Sequence, residues 1–228
     1  MTVPTTSTAQ AATVTSRAPL TLVLTALFVA LVVRQVFALW ERFDLGLDYD
    51  RTQELGEAYW PMNLFVFGPA YAIGFALQAF LTWPLARGRG RVLTWIGAVL
   101  LLIGGTLFAL VATAHALPFD WAANHGILDE TTGRDVFDAF AAIGTGAQLW
   151  PYLLATQAVI ALGGLLTAIG GRRSGTVPTW ALVLVELLVA AFAVPLPPAP
   201  FLGTLLSFAQ AVMWAILGWF GWRAGRQD

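Results

Sequence analysis

Six apolar stretches divide the chain, at about 18–40, 61–86, 92–116, 149–170, 177–194 and 201–222, and the polar residues collect between them. Each is close to the roughly 20 helical residues that cross the hydrocarbon core of a bilayer. None alternates apolar and polar side chains with a period of two, as the strands of a membrane barrel do. Hydrocarbon also leaves every backbone group to be satisfied within its own segment, so the stretches read as helices. The pattern predicts an all-α, polytopic membrane protein: a six-transmembrane-helix bundle built as three hairpins. Residues 18–222 form one membrane domain. Residues 1–17, rich in Thr, Ser and Ala, read as a disordered cytoplasmic tail, and residues 223–228 as a second, short one.

Composition agrees. Of 228 residues, 58% are hydrophobic and 11% charged, against roughly 25% charged in a soluble domain. There is no cysteine and no lysine. Their lack excludes disulfides, thiolate metal sites, cysteine nucleophiles and Schiff-base chemistry on a lysine. No basic run interleaved with aromatic residues points to nucleic acid. The Ala, Leu, Val and Arg-rich usage suggests a bacterial genome of high GC content, and hence a bacterial inner (plasma) membrane.

The arginines set an orientation. Arg17, Arg87, Arg89, Arg91, Arg172, Arg173, Arg223 and Arg226 fall on one side of the spans, while Arg42, Arg51 and Arg134 fall on the other. By the positive-inside rule both termini are cytoplasmic, which needs an even number of spans. The carboxylates segregate the opposite way, into two outer loops at 41–60 and 116–148. Short helices are expected in both loops, opened by capping boxes at Asp50–Gln53 and Thr132–Asp135, the second presenting Val136, Phe137 and Phe140 on one side. Trp-Pro pairs at Trp60-Pro61 and Trp150-Pro151 open two spans alike, a hint of internal repetition that similar interface chemistry also explains.

Four polar side chains interrupt the apolar spans at similar depth. Glu186 lies in the middle of the fifth, Gln157 in the fourth, Gln210 in the sixth and Arg34 near the outer end of the first. A carboxylate at the bilayer centre costs about 2.5 kcal/mol or more on insertion scales, which makes it a candidate for function. We expect a buried cluster of Arg34, Glu186, Gln157 and Gln210, serving either as a substrate or proton site or as interhelical glue. Arg34 has a plainer option, which is to reach outward towards Glu41 or Asp44.

His115 and His125, with Asp120 between them, are ligand types suited to zinc, although their spacing matches no metal motif. No phosphate-binding glycine loop, nucleophile elbow or HExxH sequence is present. No cofactor is predicted. Gly97 with Gly104, Gly163 with Gly170, and Ala70 with Gly74 place small residues on single helix faces, suited to close packing within one bundle. Gly68-Pro69 is placed to break or kink the second span.

Three functions follow, in this order: a non-catalytic accessory, assembly or structural membrane protein; a small transporter or membrane-embedded substrate-binding subunit using the Glu/Arg/Gln cluster; and a membrane enzyme with an outer-face metal site. The partners expected are membrane lipids and other membrane subunits.

Overall fold

A computed structural model describes residues 7–41, 48–142, 145–193 and 202–227. Among these every regular element is helical. The helices are α1 (Ser7–Glu41), α2 (Tyr49–Leu55), α3 (Tyr59–Met62), α4 (Gly68–Thr82), α5 (Arg91–Asn124), α6 (Glu130–Ala142), α7 (Thr145–Arg173), α8 (Thr179–Ala193) and α9 (Leu202–Gly225). A π-helical turn, Asn63–Phe67, joins α3 to α4 without a break in direction.

Five segments are long and apolar enough to cross a membrane: Ala18–Glu41, Tyr49–Leu85, Gly88–Asn124, Ala147–Arg173 and Thr204–Gly225. They mark the chain as membrane-embedded. A sixth full-length span is not shown among the described residues. The fifth expected span is α8, of which 15 residues are described. At 1.5 Å per residue that is about 22 Å, against a hydrocarbon core of roughly 30 Å. Pro178 precedes the helix, and Val194, the expected last residue of the span, lies outside the described residues.

Other boundaries move outward from where hydropathy places them. α1 begins at Ser7, ahead of the apolar run. α5 continues past Ala116 through Pro118 to Asn124, and α7 begins at Thr145, so that Pro151 lies inside it.

One end of the bundle gathers the basic turns. Arg87 donates to the Ala224 carbonyl at 2.9 Å, Ser174 to the Leu85 carbonyl at 3.2 Å, and the Trp222 indole to the Thr21 hydroxyl at 3.1 Å. These contacts bring the apolar start of α1, the α4–α5 and α7–α8 turns and the end of α9 together. The opposite end carries the acidic helices α2 and α6. Their N-caps lie two to three residues ahead of the expected boxes. Asp48 accepts the Arg51 N–H at 2.8 Å, and Asp129 accepts the Thr132 N–H at 3.0 Å. Asp serves because its carboxylate reaches the free amides of a first turn and complements the helix dipole. Arg134 bonds Asp50 and Glu130 and lies 4.6 Å over the Tyr49 ring, which ties α6 to α2. Beneath them Tyr49, Tyr59, Phe119 and Phe137 form a buried cluster, with Val136 and Phe140 packed against it.

The most extensive helix pair is α5 with α7. Glycine makes it possible. A Cβ on Gly97 would sit 2.5 Å from Thr167 Oγ1 and 2.7 Å from the Gly163 carbonyl, and one on Gly170 would sit 2.3 Å from Thr94 Oγ1. The small-residue stripes are therefore used inside the bundle, where backbones in near contact gain dispersion that side chains would prevent.

Candidate functional site

α1 presents Leu27, Leu31, Arg34, Ala38 and Glu41 at spacings of four and three, one face of a helix. Along it the lining changes from apolar to polar towards the acidic end. A cavity of about 180 Å³ lies against the outer part, lined by Arg34, Glu41, Tyr71, Gln157, Ser207 and Gln210 among its residues. Helices α1, α4, α5, α7 and α9 all contribute to it.

Arg34 is its centre. The side chain is only 5% exposed. Nη2 donates to Gln210 Oε1, and the guanidinium lies 4.7 Å from the Tyr71 ring centroid. Nη1 is buried without a hydrogen-bond partner. No carboxylate among the described residues pairs with Arg34; the ion pairs formed there involve Arg51 and Arg134. A glutamine oxygen and a ring face are dipolar and quadrupolar partners, so the positive charge is solvated in part and neutralised by neither.

Around it the polar groups are held by neighbouring elements. Ser207 Oγ donates to Gln35 Oε1 at 3.2 Å, linking α9 to α1. Glu41, two helical turns above Arg34, bonds the Tyr59 hydroxyl. Seven residues separate Glu41 from Arg34, about 10 Å of rise, so the two ionisable groups stand at two levels of one cavity.

The π turn shapes the α4 wall. Gly68 N–H bonds the Asn63 carbonyl, five residues back. Pro69 has no N–H to give the preceding turn, and widening the turn accommodates that loss without the break expected at Gly68-Pro69. A Cβ on Gly68 would lie 2.7 Å from Thr113 Oγ1, so glycine admits α5 closely at this point. The turn delivers Phe67 to the cavity, its ring centroid 4.7 Å from that of Tyr71 and tilted by 55°, and Tyr71 in turn lies 4.6 Å from Phe108.

Two further spaces adjoin. On the α7–α8–α9 side a chamber of about 380 Å³ shares Gln157, Ile160 and Gln210 with the first and is otherwise lined almost wholly by apolar side chains, Leu162, Leu188 and Met213 among them. Towards the basic end a void of about 10 Å³ shares Arg34, Tyr71 and Phe75 and adds Gln78 and Trp214. Gln78 is 1% exposed, and neither of its amide atoms has a partner; Trp214 Nε1 also lacks one. Beyond it Leu24, Leu27 and Leu81 close the bundle with side chains that are almost fully buried.

The structure thus brings together Arg34, Gln157 and Gln210 of the expected cluster. It does not bring in Glu186. That side chain is exposed on the flank of α8 and forms no hydrogen bond or ion pair among the described residues. The reason is angular: α8 turns Ala181, Val185 and Leu188 inward, and Glu186 sits about 100° round from Val185. The carboxylate at the cavity is Glu41 instead.

His115, Asp120 and His125 do not form a metal-binding group. His115 lies against Phe119 and Trp150, His125 against Trp121, and Asp120 accepts from Asn124. Among the described residues no three His, Cys, Asp or Glu side chains converge.

Sequence reasoning missed Glu41, Tyr71, Gln78, Ser207 and Trp214. Two signals were available: the seven-residue spacing of Arg34 and Glu41, and the three-residue spacing of Ser207 and Gln210, each marking one helix face. Compared with known proteins, the chain matches no family model, no curated protein and no solved structure.

Proposed function

We propose that this protein binds a small ligand inside the membrane, at the cavity centred on Arg34, and acts as a small transporter or as the membrane-embedded binding subunit of one. The observation that carries this is the buried guanidinium lining a cavity whose one lining carboxylate, Glu41, stands two helical turns away and forms no ion pair with it. Removing a charge from water costs several kcal/mol unless a counter-charge and hydrogen bonds offset it. In a membrane segment such a group marks a ligand or ion pathway. The π turn between α3 and α4 beside the cavity supports the same reading, because single π turns inside helices occur frequently at functional sites. The cavity lies towards the acidic end, and leucines close the basic end. With the positive-inside rule, the ligand enters from the outer face of a bacterial plasma membrane and both termini are cytoplasmic.

The chain has no cysteine, so single cysteines report cleanly. In cells or oriented proteoliposomes, Ser207→Cys is expected to react with a charged, membrane-impermeant thiol reagent added from the acidic side. Leu217→Cys, at a position with no exposure, is not. Equal, negligible labelling of the two would remove the hydrated cavity and this function with it.

Glu186 favours a second role, assembly. An ionisable side chain on the exposed flank of a membrane helix is costly against lipid and gains from a polar group on another subunit. Glu186→Leu is expected to change the mass of the particle extracted in mild detergent. An unchanged mass would leave assembly without support.

A further inference from the structure

We infer that the ligand is a single-chain amphiphile with an anionic head: the head sits on Arg34 and the hydrocarbon chain lies in the apolar chamber between α7, α8 and α9. The inference rests on the binding function proposed above and names the ligand's class.

Three observations carry it. First, the two chambers adjoin. Gln157, Ile160 and Gln210 line both, so one molecule passing between these side chains would reach the pair. Second, the charged groups are confined to one of them. Arg34 and Glu41 line the smaller space, beside Ser207, Phe67 and Tyr71, while the larger, about 380 Å³, has no charged side chain on its wall and suits one alkyl chain. Third, Arg34 is nine-tenths buried, lines the smaller space and meets no carboxylate among the described residues. A guanidinium with one amino group committed to Gln210 keeps N–H donors for a carboxylate or phosphate oxygen. A neutral polar ligand would leave the charge unneutralised, and a cation would be repelled by it. A small hydrophilic anion would leave the apolar chamber unused. An amphiphilic anion satisfies both spaces.

Leu154 and Leu162, half-exposed on the outside of α7, border the apolar chamber. The chain thus passes towards the lipid, which admits the tail from the bilayer side.

The test uses the full chain in phosphatidylcholine nanodiscs with dansylated undecanoic acid as the fluorescent probe. Dodecanoate, dodecyl phosphate, dodecanol and dodecylammonium compete in turn. The two anions are expected to displace the probe at least about ten-fold more tightly than the alcohol or the amine, the worth of one hydrogen bond to a charged group. Arg34→Gln is expected to bring dodecanoate down to the level of dodecanol, and Arg34→Lys to keep part of the difference. Ala161→Phe, which fills the apolar chamber, is expected to weaken dodecanoate while leaving octanoate nearly unchanged. This variant and the wild-type competition stand even if the Arg34 variants fail to fold. Adding phosphatidylglycerol to the nanodiscs separates a bilayer lipid from a free amphiphile; the inference expects no displacement by it.

Dodecanol competing as well as dodecanoate in the wild-type protein would overturn the inference, as would displacement by phosphatidylglycerol. If Ser207→Cys is still labelled from the acidic side in that case, the hydrated binding cavity stands and only the ligand class falls. If labelling fails as well, both fall.

Discussion

Arg34 shows how one side chain acquires two environments. Its Nη2 faces Gln210, and its Nη1 is buried without a protein partner. The adjoining void of about 10 Å³ is bordered by Arg34, Gln78 and Trp214 but walled almost entirely by apolar surface, so the Gln78 amide is buried without a partner. Gln78→Leu, close in size, removes that unsatisfied amide. It is expected to stabilise the protein by about 1–3 kcal/mol, the cost of burying a polar group unpaired. Thermal unfolding in detergent checks this. A lower midpoint would mean that the amide is hydrogen-bonded in the protein.

At the scale of elements, two features decide how the helices meet. The first is the α5–α7 contact. Gly97→Val is expected to destabilise by about 1–3 kcal/mol, since the added carbons meet Thr167 and backbone on the facing helix with no room to move. Val99→Leu, on an exposed position two residues on, is the control and is expected to leave the unfolding midpoint in place. The second is the cap of α6. Asp129 accepts both the N–H and the hydroxyl of Thr132. These bonds favour the charged form and hold its carboxyl below the ordinary value of 3.8. The cap's contribution is therefore complete above that ordinary value and is lost as pH falls through the lower folded-state value. Hydrogen exchange at the first-turn amides of α6 is expected to accelerate only in strong acid. In Asp129→Ala it should be fast at all pH values. Acceleration already at mild acidity would point to a different group.

At the scale of the molecule, charge is divided between the two ends. Arg87, Arg172 and Arg223 lie with the turns gathered at one end, and α2 and α6 carry carboxylates at the other. The orientation proposed from the positive-inside rule puts the arginine end in the cytoplasm. Cysteines at Arg89 and at Glu130 are expected to be labelled from opposite sides of the membrane by an impermeant reagent, Glu130→Cys from outside. Labelling of both from one side would contradict the arrangement. The tie between α6 and α2 through Arg134, Asp50 and Tyr49 also has a consequence at this scale. The acidic end forms a packed layer over the Tyr59–Phe119 cluster, so the proposed binding function calls for entry beside it, at the α1–α9 face where Ser207 and Gln210 are half-buried.

The amino-acid sequence by itself determined what depends on local chemistry. Apolar runs long enough to span hydrocarbon locate five of the membrane helices, because a bilayer admits little else. Arginine placement separates the two ends. Glycine spacing anticipates the tight helix pair. Helices α2 and α6 stand in the two acidic segments, capped by Asp48 and Asp129 two to three residues ahead of the expected boxes, because an Asp one residue ahead of a helix competes well for its free amides. What only the tertiary structure decided depends on rotation and neighbours. Depth along a helix is legible from residue number, and it grouped Arg34, Gln157, Gln210 and Glu186 alike. Which way each side chain faces depends on how its helix is turned against the others. Packing turned Glu186 to the outside, kept Arg34, Gln157 and Gln210 on a shared cavity, and brought Glu41 and Ser207 to it from positions whose sequence context is unremarkable.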